Sequence, residues 1–363
     1  MKLDFKPQCL PLLVGSMPVK DHVHAADLVF KYTPDIPLWV QLPHFLEESM
    51  VAQFTPGLPA LTYKEGRTFI DTRTESYDSE FLAFFEEYMA IIEKRSPLET
   101  SRFALTSETA LGFFELLKRL TYTTSLPKAI KGQVTGPITF CTSLTDQDRR
   151  AIFYNDALRD VAVKHIALKA AWQVHQLSQF NLPVILFIDE PALAGFGSSE
   201  FISISKEEIS VCLDEVIDAI HAKGGLAGIH VCANTDWSLV LDSNVDIVNF
   251  DAYAYFERFV LYPDAIGRFL EDGRIIAWGI VPTLKVEDIE TATTISLTNR
   301  LKEYTQQLEK LGCKRETIYN QSLITPSCGV GPLNPEQAEK VLVLVRDVSQ
   351  NLRVEMGFSK RTL

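Results

Sequence analysis

The chain has 363 residues, 46% hydrophobic and 23% charged, the balance of a globular protein that can bury a large core. Its 35 Lys and Arg against 47 Asp and Glu give a formal charge of −12, a field that repels polyanions, and no basic stripe marks a nucleic-acid binder. No apolar run approaches the ~18 residues of a membrane span, the segment Met1–Pro7 lacks the apolar stretch of a secretory signal, and six scattered cysteines make no disulfide framework, so the expectation is a cytoplasmic protein with free thiols.

Short apolar runs recur along the chain, most followed by a turn signal and a helical pattern. Leu10–Ser16 is the first, closing on Gly15-Ser16, and Leu38–Leu42 is the second, closing on Pro43-His44. Residues 43–128 then hold more than one helix, with helical periodicity over Ser79–Lys94 and Ser107–Tyr122. No Gly/Ser linker flanks them, which predicts an insertion packed on the same domain. Ala129–Gly136 is the third strand, followed by a long helix from Asn155 to Phe180 with Leu158, Val161, His165, Leu168 and Trp172 on one stripe. Val184–Asp189 is apolar without alternation up to its last residue, as in parallel strands buried on both faces. Ser205-Lys206-Glu207-Glu208 is a capping box that opens a helix with the apolar face Ile209, Leu213, Val216, Ile217 and Ile220. Strands follow at Leu226–Cys232, Val245–Asp251, Ile275–Val281 and Asn320–Thr325, and Asn334-Pro335 starts the last helix. Eight strands alternating with helices predict an α/β fold, a single (β/α)8 TIM barrel over residues 1–363 with a helical insertion after the second strand. A doubly wound open sheet is the rival, disfavoured because no glycine-rich phosphate turn follows the first strand.

In such a barrel the C-terminal strand ends form the reactive face, so residues far apart in sequence converge. His230-x-Cys232 is the sharpest feature, because residues two apart on a strand share a face. Cys328 follows the last strand and Asp251 ends the one after Cys232. An imidazole, two thiolates and a candidate carboxylate suit tetrahedral Zn2+ with one exchangeable position; the plain alternative is a packed Cys beside a hydrogen-bonded His. Asp189-Glu190 puts two carboxylates at the same rim, to hold a substrate ammonium, act as a base, or anchor loop N–H groups. Gly15 and Ser16 offer close backbone approach and donors for substrate, and His44 is a candidate catalytic residue at the rim. Cys9, Cys141, Cys212 and Cys313 read as packing or surface, His22, His24 and His221 as solvated, and His165 and His175 as lying on or beside a helix core stripe.

These residues resemble the cobalamin-independent methionine synthase family, within the uroporphyrinogen decarboxylase superfamily of barrels. The resemblance spans nearly the whole chain and is most specific at Val14-Gly15-Ser16-Met17-Pro18, Val134-Thr135-Gly136-Pro137-Ile138-Thr139, Ile188-Asp189-Glu190-Pro191-Ala192, Ile229-His230-Val231-Cys232 and Thr325-Pro326-Ser327-Cys328-Gly329. It implies that His230, Cys232 and Cys328 hold a zinc ion that activates a thiol, that Ser16 contacts the amino-acid end of a homocysteine-like substrate, and that Asp189 holds its ammonium. Two positions depart from the family: Asp251 stands where a Glu ligand is usual, and His44 where a Glu contacts homocysteine. The chain also carries one barrel where the full synthase has two. Single-barrel relatives with the same His-x-Cys…Cys pattern, the coenzyme M methyltransferases, take methyl from a corrinoid protein. The resemblance therefore implies a zinc-dependent methyltransferase acting on a small thiol, with a methyl-corrinoid protein as partner.

Two rivals remain on the sequence. A porphyrin decarboxylase needs basic residues to neutralise its polycarboxylate, and Trp39-Val40-Gln41-Leu42-Pro43-His44 has no arginine where such enzymes place them. A non-catalytic corrinoid- or metal-binding barrel is the other.

Overall fold

The protein is described from a computed structural model covering residues 5–196 and 204–359. Its strands are β1 (Leu10–Pro11), β2 (Leu61–Lys64), β3 (Arg67–Ile70), β4 (Ile130–Thr135), β5 (Val184–Asp189), β6 (Leu226–Val231), β7 (Ile247–Phe250), β8 (Ile275–Val281) and β9 (Ser322–Pro326). Seven of them form one curled parallel sheet in the order β1-β9-β8-β7-β6-β5-β4, and β2 and β3 form a separate antiparallel hairpin. Helices α1 (His22–Tyr32), α2 (Tyr77–Ile92), α3 (Leu111–Tyr122), α4 (Pro137–Ser143), α5 (Asp156–Ser178), α6 (Lys206–Ala222), α7 (Trp237–Leu241), α8 (Ala252–Phe259) and α9 (Pro263–Glu271) lie among the strands, and further helices up to Pro335–Glu355 follow.

The expected eight-stranded closure is met only in part. Between the sheet edges run residues 38–41, joined by single bridges, Ser16 with Gln41 on one side and Leu38 with Lys131 on the other. The fold is TIM-barrel-like with a curled sheet whose eighth segment makes no continuous ladder. Local chemistry explains why. Pro37 and Pro43 flank the segment and offer no N–H. A side chain also takes a ladder position: Gln133 Nε2 donates to the Trp39 carbonyl at 3.0 Å.

Alternation along the strands sorts side chains into two cores. Val184, Leu186 and Ile188 face the helices in the large outer core, while Ile185 and Phe187 join Leu10, Leu12, Ile247, Ile275 and Leu323 in a small inner one. Continued toward the C-terminal strand ends, the inward period reaches Asp189 on β5, His230 on β6, Asn249 on β7 and Thr325 on β9. The lumen is apolar at its floor and polar at its mouth. Lys131 is fully buried in it, donating to Val14 O at 2.5 Å and Gln133 Oε1 at 3.1 Å, with its ammonium 4.6 Å from the centre of the Phe187 ring.

Residues 43–128 contain the expected helices as α2 and α3, together with a hairpin. Its two-residue turn, Glu65-Gly66, has positive φ at both positions, the geometry that matches strand twist. Ile70 N donates to Thr145 O at 3.0 Å, which ties the insertion to the segment after α4. His22, expected in solvent, is buried instead: its Nε2 lies 2.7 Å from Glu48 Oε1, and Glu48 Oε2 accepts from Leu42 N at 2.8 Å. Helix α1 is thereby fastened to the segment that follows residues 38–42.

Gly112 tests how closely α3 packs on that segment. A Cβ there would lie 2.1 Å from the Val40 carbonyl oxygen, whereas one at Gly267 in α9 meets nothing within 4 Å. Gly112→Ala is expected to destabilise by about 1–3 kcal/mol through overpacking, and Gly267→Ala to stabilise by up to about 1 kcal/mol through helix propensity. Thermal unfolding followed by circular dichroism should move the two midpoints in opposite directions.

Candidate metal centre

Parallel pairing aligns the functional positions across neighbouring strands. Asp189 pairs in register with His230, and His230 with Asn249. Cys232 follows β6 directly and Cys328 lies two residues past β9. The approach to Cys328 is clasped: Ser327 N donates to Val281 O at 2.8 Å, and Ser327 Oγ accepts from Thr283 N at 3.1 Å. The result brings three side chains together as expected. One ligand atom each from His230, Cys232 and Cys328 lies within 4.8 Å of the others.

The donors have the chemistry of an ion site. His230 is buried; its Nδ1 sits 2.6 Å from Asn249 Oδ1, and its Nε2 is buried with no hydrogen-bond partner among the described residues. An unpartnered buried ring nitrogen is costly unless something occupies its lone pair. Burial pushes the His230 pKa down to about 4, which keeps the imidazole neutral as a ligand must be. The facing thiols titrate as a pair. Hydrogen bonding from Cys328 lowers the pKa of Cys232, and the same contact, with burial, raises that of Cys328. The first ionisation is thus favoured over the second, and a cation beside the pair would favour both thiolates. The residues present therefore fit a zinc ion.

Other expected residues are placed around this cluster in different roles. Asp189 is buried at the mouth of the lumen with Oδ1 unpartnered, and its pKa is pushed up to about 7 by burial, against the opposing charge of Lys131. Ser16 packs against the segment after Cys328: its Oγ accepts from Gly331 N at 3.2 Å, and a Cβ on Gly329 would lie 2.2 Å from that oxygen. Gly15 is buried beside Gln41 and Gln133, whose side chains a Cβ would crowd. Glu190 anchors a loop. Its Oε1 accepts from Ile138 N at 2.8 Å, and its Oε2 from Thr139 N at 2.9 Å and Thr139 Oγ1 at 2.6 Å, all at the start of α4. Asp251 lies outside the three-residue cluster; it is the N-cap of α8, with Oδ1 accepting from Ala254 N at 2.9 Å. His44 is exposed, its ring edge-on to Phe45 at 5.4 Å.

Two residues at the site escaped the sequence reading, Asn249 and Lys131. Asn249 is a polar residue within an otherwise apolar strand and Lys131 a charged one in a fully buried strand, each on the inward period, and that was the available signal.

The fold has a counterpart among solved structures. The chain is similar to a B12-independent methionine synthase from Shewanella sp. W3-18-1, solved in complex with selenomethionine, at 14% identity and a TM-score of 0.53, over 97% of this chain and 100% of that one. A second similarity, to the GH20 catalytic modules of the pneumococcal exo-β-D-N-acetylglucosaminidase StrH, has 10% identity and a TM-score of 0.49 over 95% of this chain and 86% of that one. No protein-family model matches the sequence, and no curated protein matches it either. At this level the likeness defines a methionine-synthase-like barrel.

The anchoring role of Glu190 makes a direct prediction. Glu190→Gln replaces one acceptor oxygen with an NH2 that faces a backbone N–H, leaving a buried donor unmatched. A loss of about 1–3 kcal/mol of stability is expected, seen as a lower thermal midpoint; an unchanged midpoint would show that the carboxylate does not hold α4.

Proposed function

We propose that the protein is a zinc-dependent methyltransferase that methylates a small thiol, on a barrel of the (β/α)8 type. The observation that carries this reading is the buried, unpartnered His230 Nε2 beside two cysteine sulfurs from separate strand ends. His230, Cys232 and Cys328 would hold the ion. Zinc bound by two thiolates and a neutral imidazole supplies the charge that keeps a substrate thiol deprotonated at neutral pH.

The chain's own groups provide the rest. Asp189, with one free buried oxygen in register with His230, is suited to hold the ammonium of a homocysteine-like thiol. Ser16, packed against the segment that carries Cys328, is placed to meet the substrate's other end. Glu190 stiffens the loop before α4 and so fixes the wall next to Asp189. With thiol and donor held in line, positioning supplies much of the rate.

The methyl donor we propose is a methyl-corrinoid protein, in keeping with the His-x-Cys…Cys pattern that His230, Cys232 and Cys328 share with the corrinoid-using coenzyme M methyltransferases. A specific observation favours a second reading: the Shewanella protein is described as B12-independent, and this chain matches it over that chain's full length. A single barrel is therefore compatible with a corrinoid-free donor.

One set of experiments separates these possibilities. Purified protein should contain stoichiometric zinc, and Cys232→Ser should lose most of it. Zinc-loaded protein mixed with methylcobalamin and homocysteine, coenzyme M or simple thiols should bleach the methyl-cobalt absorbance. The same thiols with a methylfolate, read by mass spectrometry of the product, test the corrinoid-free donor. A metal-free wild-type protein that remains metal-free after incubation with zinc overturns the zinc reading. Absence of methylated thiol with every donor overturns the transferase.

A further inference from the structure

We infer that Asn249 is a positioning residue that fixes the tautomer of His230, so that the Nε2 lone pair faces the two cysteine sulfurs; its purpose rests on the metal-site reading above. The hydrogen bonds of one side-chain amide fix the assignment. Asn249 Nδ2 donates to Ala277 O at 2.8 Å and to Thr325 Oγ1 at 2.9 Å. A backbone carbonyl only accepts, so the atom facing Ala277 must be the NH2 and the amide cannot flip. Flipping it would set two carbonyl oxygens against each other inside the lumen, where Asn249 is fully buried.

The orientation of the amide then decides the histidine. Oδ1 must face His230 Nδ1, 2.6 Å away, and can only accept, so Nδ1 carries the proton. A neutral ring has one N–H, which leaves Nε2 with a lone pair. A second proton on Nε2 would be a buried donor without a partner, since nothing among the described residues accepts from that atom. One ring nitrogen of His230 lies within 4.8 Å of the Cys232 and Cys328 sulfurs, and with Nδ1 engaged by Asn249 the unprotonated Nε2 is the one left to serve there. Carbonyl oxygen on β8, hydroxyl on β9, amide on β7 and imidazole on β6 form one chain across four strands. Such outer hydrogen bonds orient metal-binding histidines generally.

The test reads the tautomer directly. Protein labelled with 15N-histidine and stripped of metal by a chelator is recorded by long-range 1H–15N correlation, with His230 assigned from the signals lost in His230→Gln. Wild-type protein should show Nδ1–H; a wild-type Nε2–H tautomer overturns the inference. Asn249→Leu keeps the volume and removes the acceptor. It should give the Nε2–H form or a mixture, and zinc affinity measured by chelator competition should fall by about 10–100-fold. Unchanged tautomer and unchanged affinity in this variant also overturn the inference. If Asn249→Leu fails to fold, the wild-type tautomer, assigned against His230→Gln, still puts the inference at risk, because an Nε2–H ring cannot be the one that Asn249 Oδ1 holds. It needs no zinc either: a protein that shows Nδ1–H but binds no zinc refutes the metal reading while leaving the tautomer assignment in place.

Discussion

In-register pairing of parallel strands is the constraint on which the site rests. Parallel neighbours with matched registers carry equivalent positions to the same height, so Asp189, His230 and Asn249 stand side by side on β5, β6 and β7. A one-residue slip of β6 would turn His230 out of the lumen toward the helices. The pairing is held by more than backbone bonds. The outer faces of β5 to β8 are packed under helices by Ile188, Ile229, Val248 and Trp278, all buried, and the inner floor is filled by Ile185, Phe187, Ile247 and Ile275. With both faces of each strand packed, the register has little freedom, and the donors at its end inherit that rigidity.

The same constraint explains what could be read from the sequence. A strand repeats every two residues, so His230-x-Cys232 was legible as two donors sharing a side. Cys328 was legible because the last strand ends just before it. Asn249 was not singled out, because an amide in an apolar strand gains its meaning only from partners on three other strands. Glu190 was ambiguous for a similar reason: the sequence shows a carboxylate after a strand, and only the positions of Ile138 and Thr139 show that it anchors α4. His22 was misread because its partner, Glu48, comes from the segment after residues 38–42. That segment was expected to be an ordinary strand, yet side-chain bonds from Gln133 and proline at both ends reduce it to single bridges.

Seams of this kind can be useful to an enzyme. Residues 38–41 lie between β1 and β4, which otherwise form free sheet edges, and their few bridges bind the sheet less tightly than the ladders elsewhere. Ser16 bridges Gln41 in that seam and also accepts from Gly331 N beyond Cys328. Movement of the segment would therefore act on Ser16, the residue proposed to meet the substrate, and leave the ladder under His230 undisturbed. The His22–Glu48 contact limits such movement by fastening the following loop to α1.

Charge balance joins the lumen to the site. A fully buried lysine needs compensation, and Lys131 has it from the Val14 carbonyl, Gln133 and the face of Phe187. Burial still pushes its pKa down to about 8, while the negative charge of Asp189 opposes that fall. Asp189 in turn is the nearest thing to a counterion in the lumen, yet it keeps an oxygen unpartnered. Lys131 stabilises the Asp189 charge without bonding to Oδ1, which has no partner among the described residues. Two cysteine thiolates and a divalent ion sum to no net charge, so under the proposed occupancy the metal site does not compete for Lys131. Under the proposed function, zinc would offset the two thiolates and a substrate ammonium the Asp189 oxygen that has no partner among the described residues.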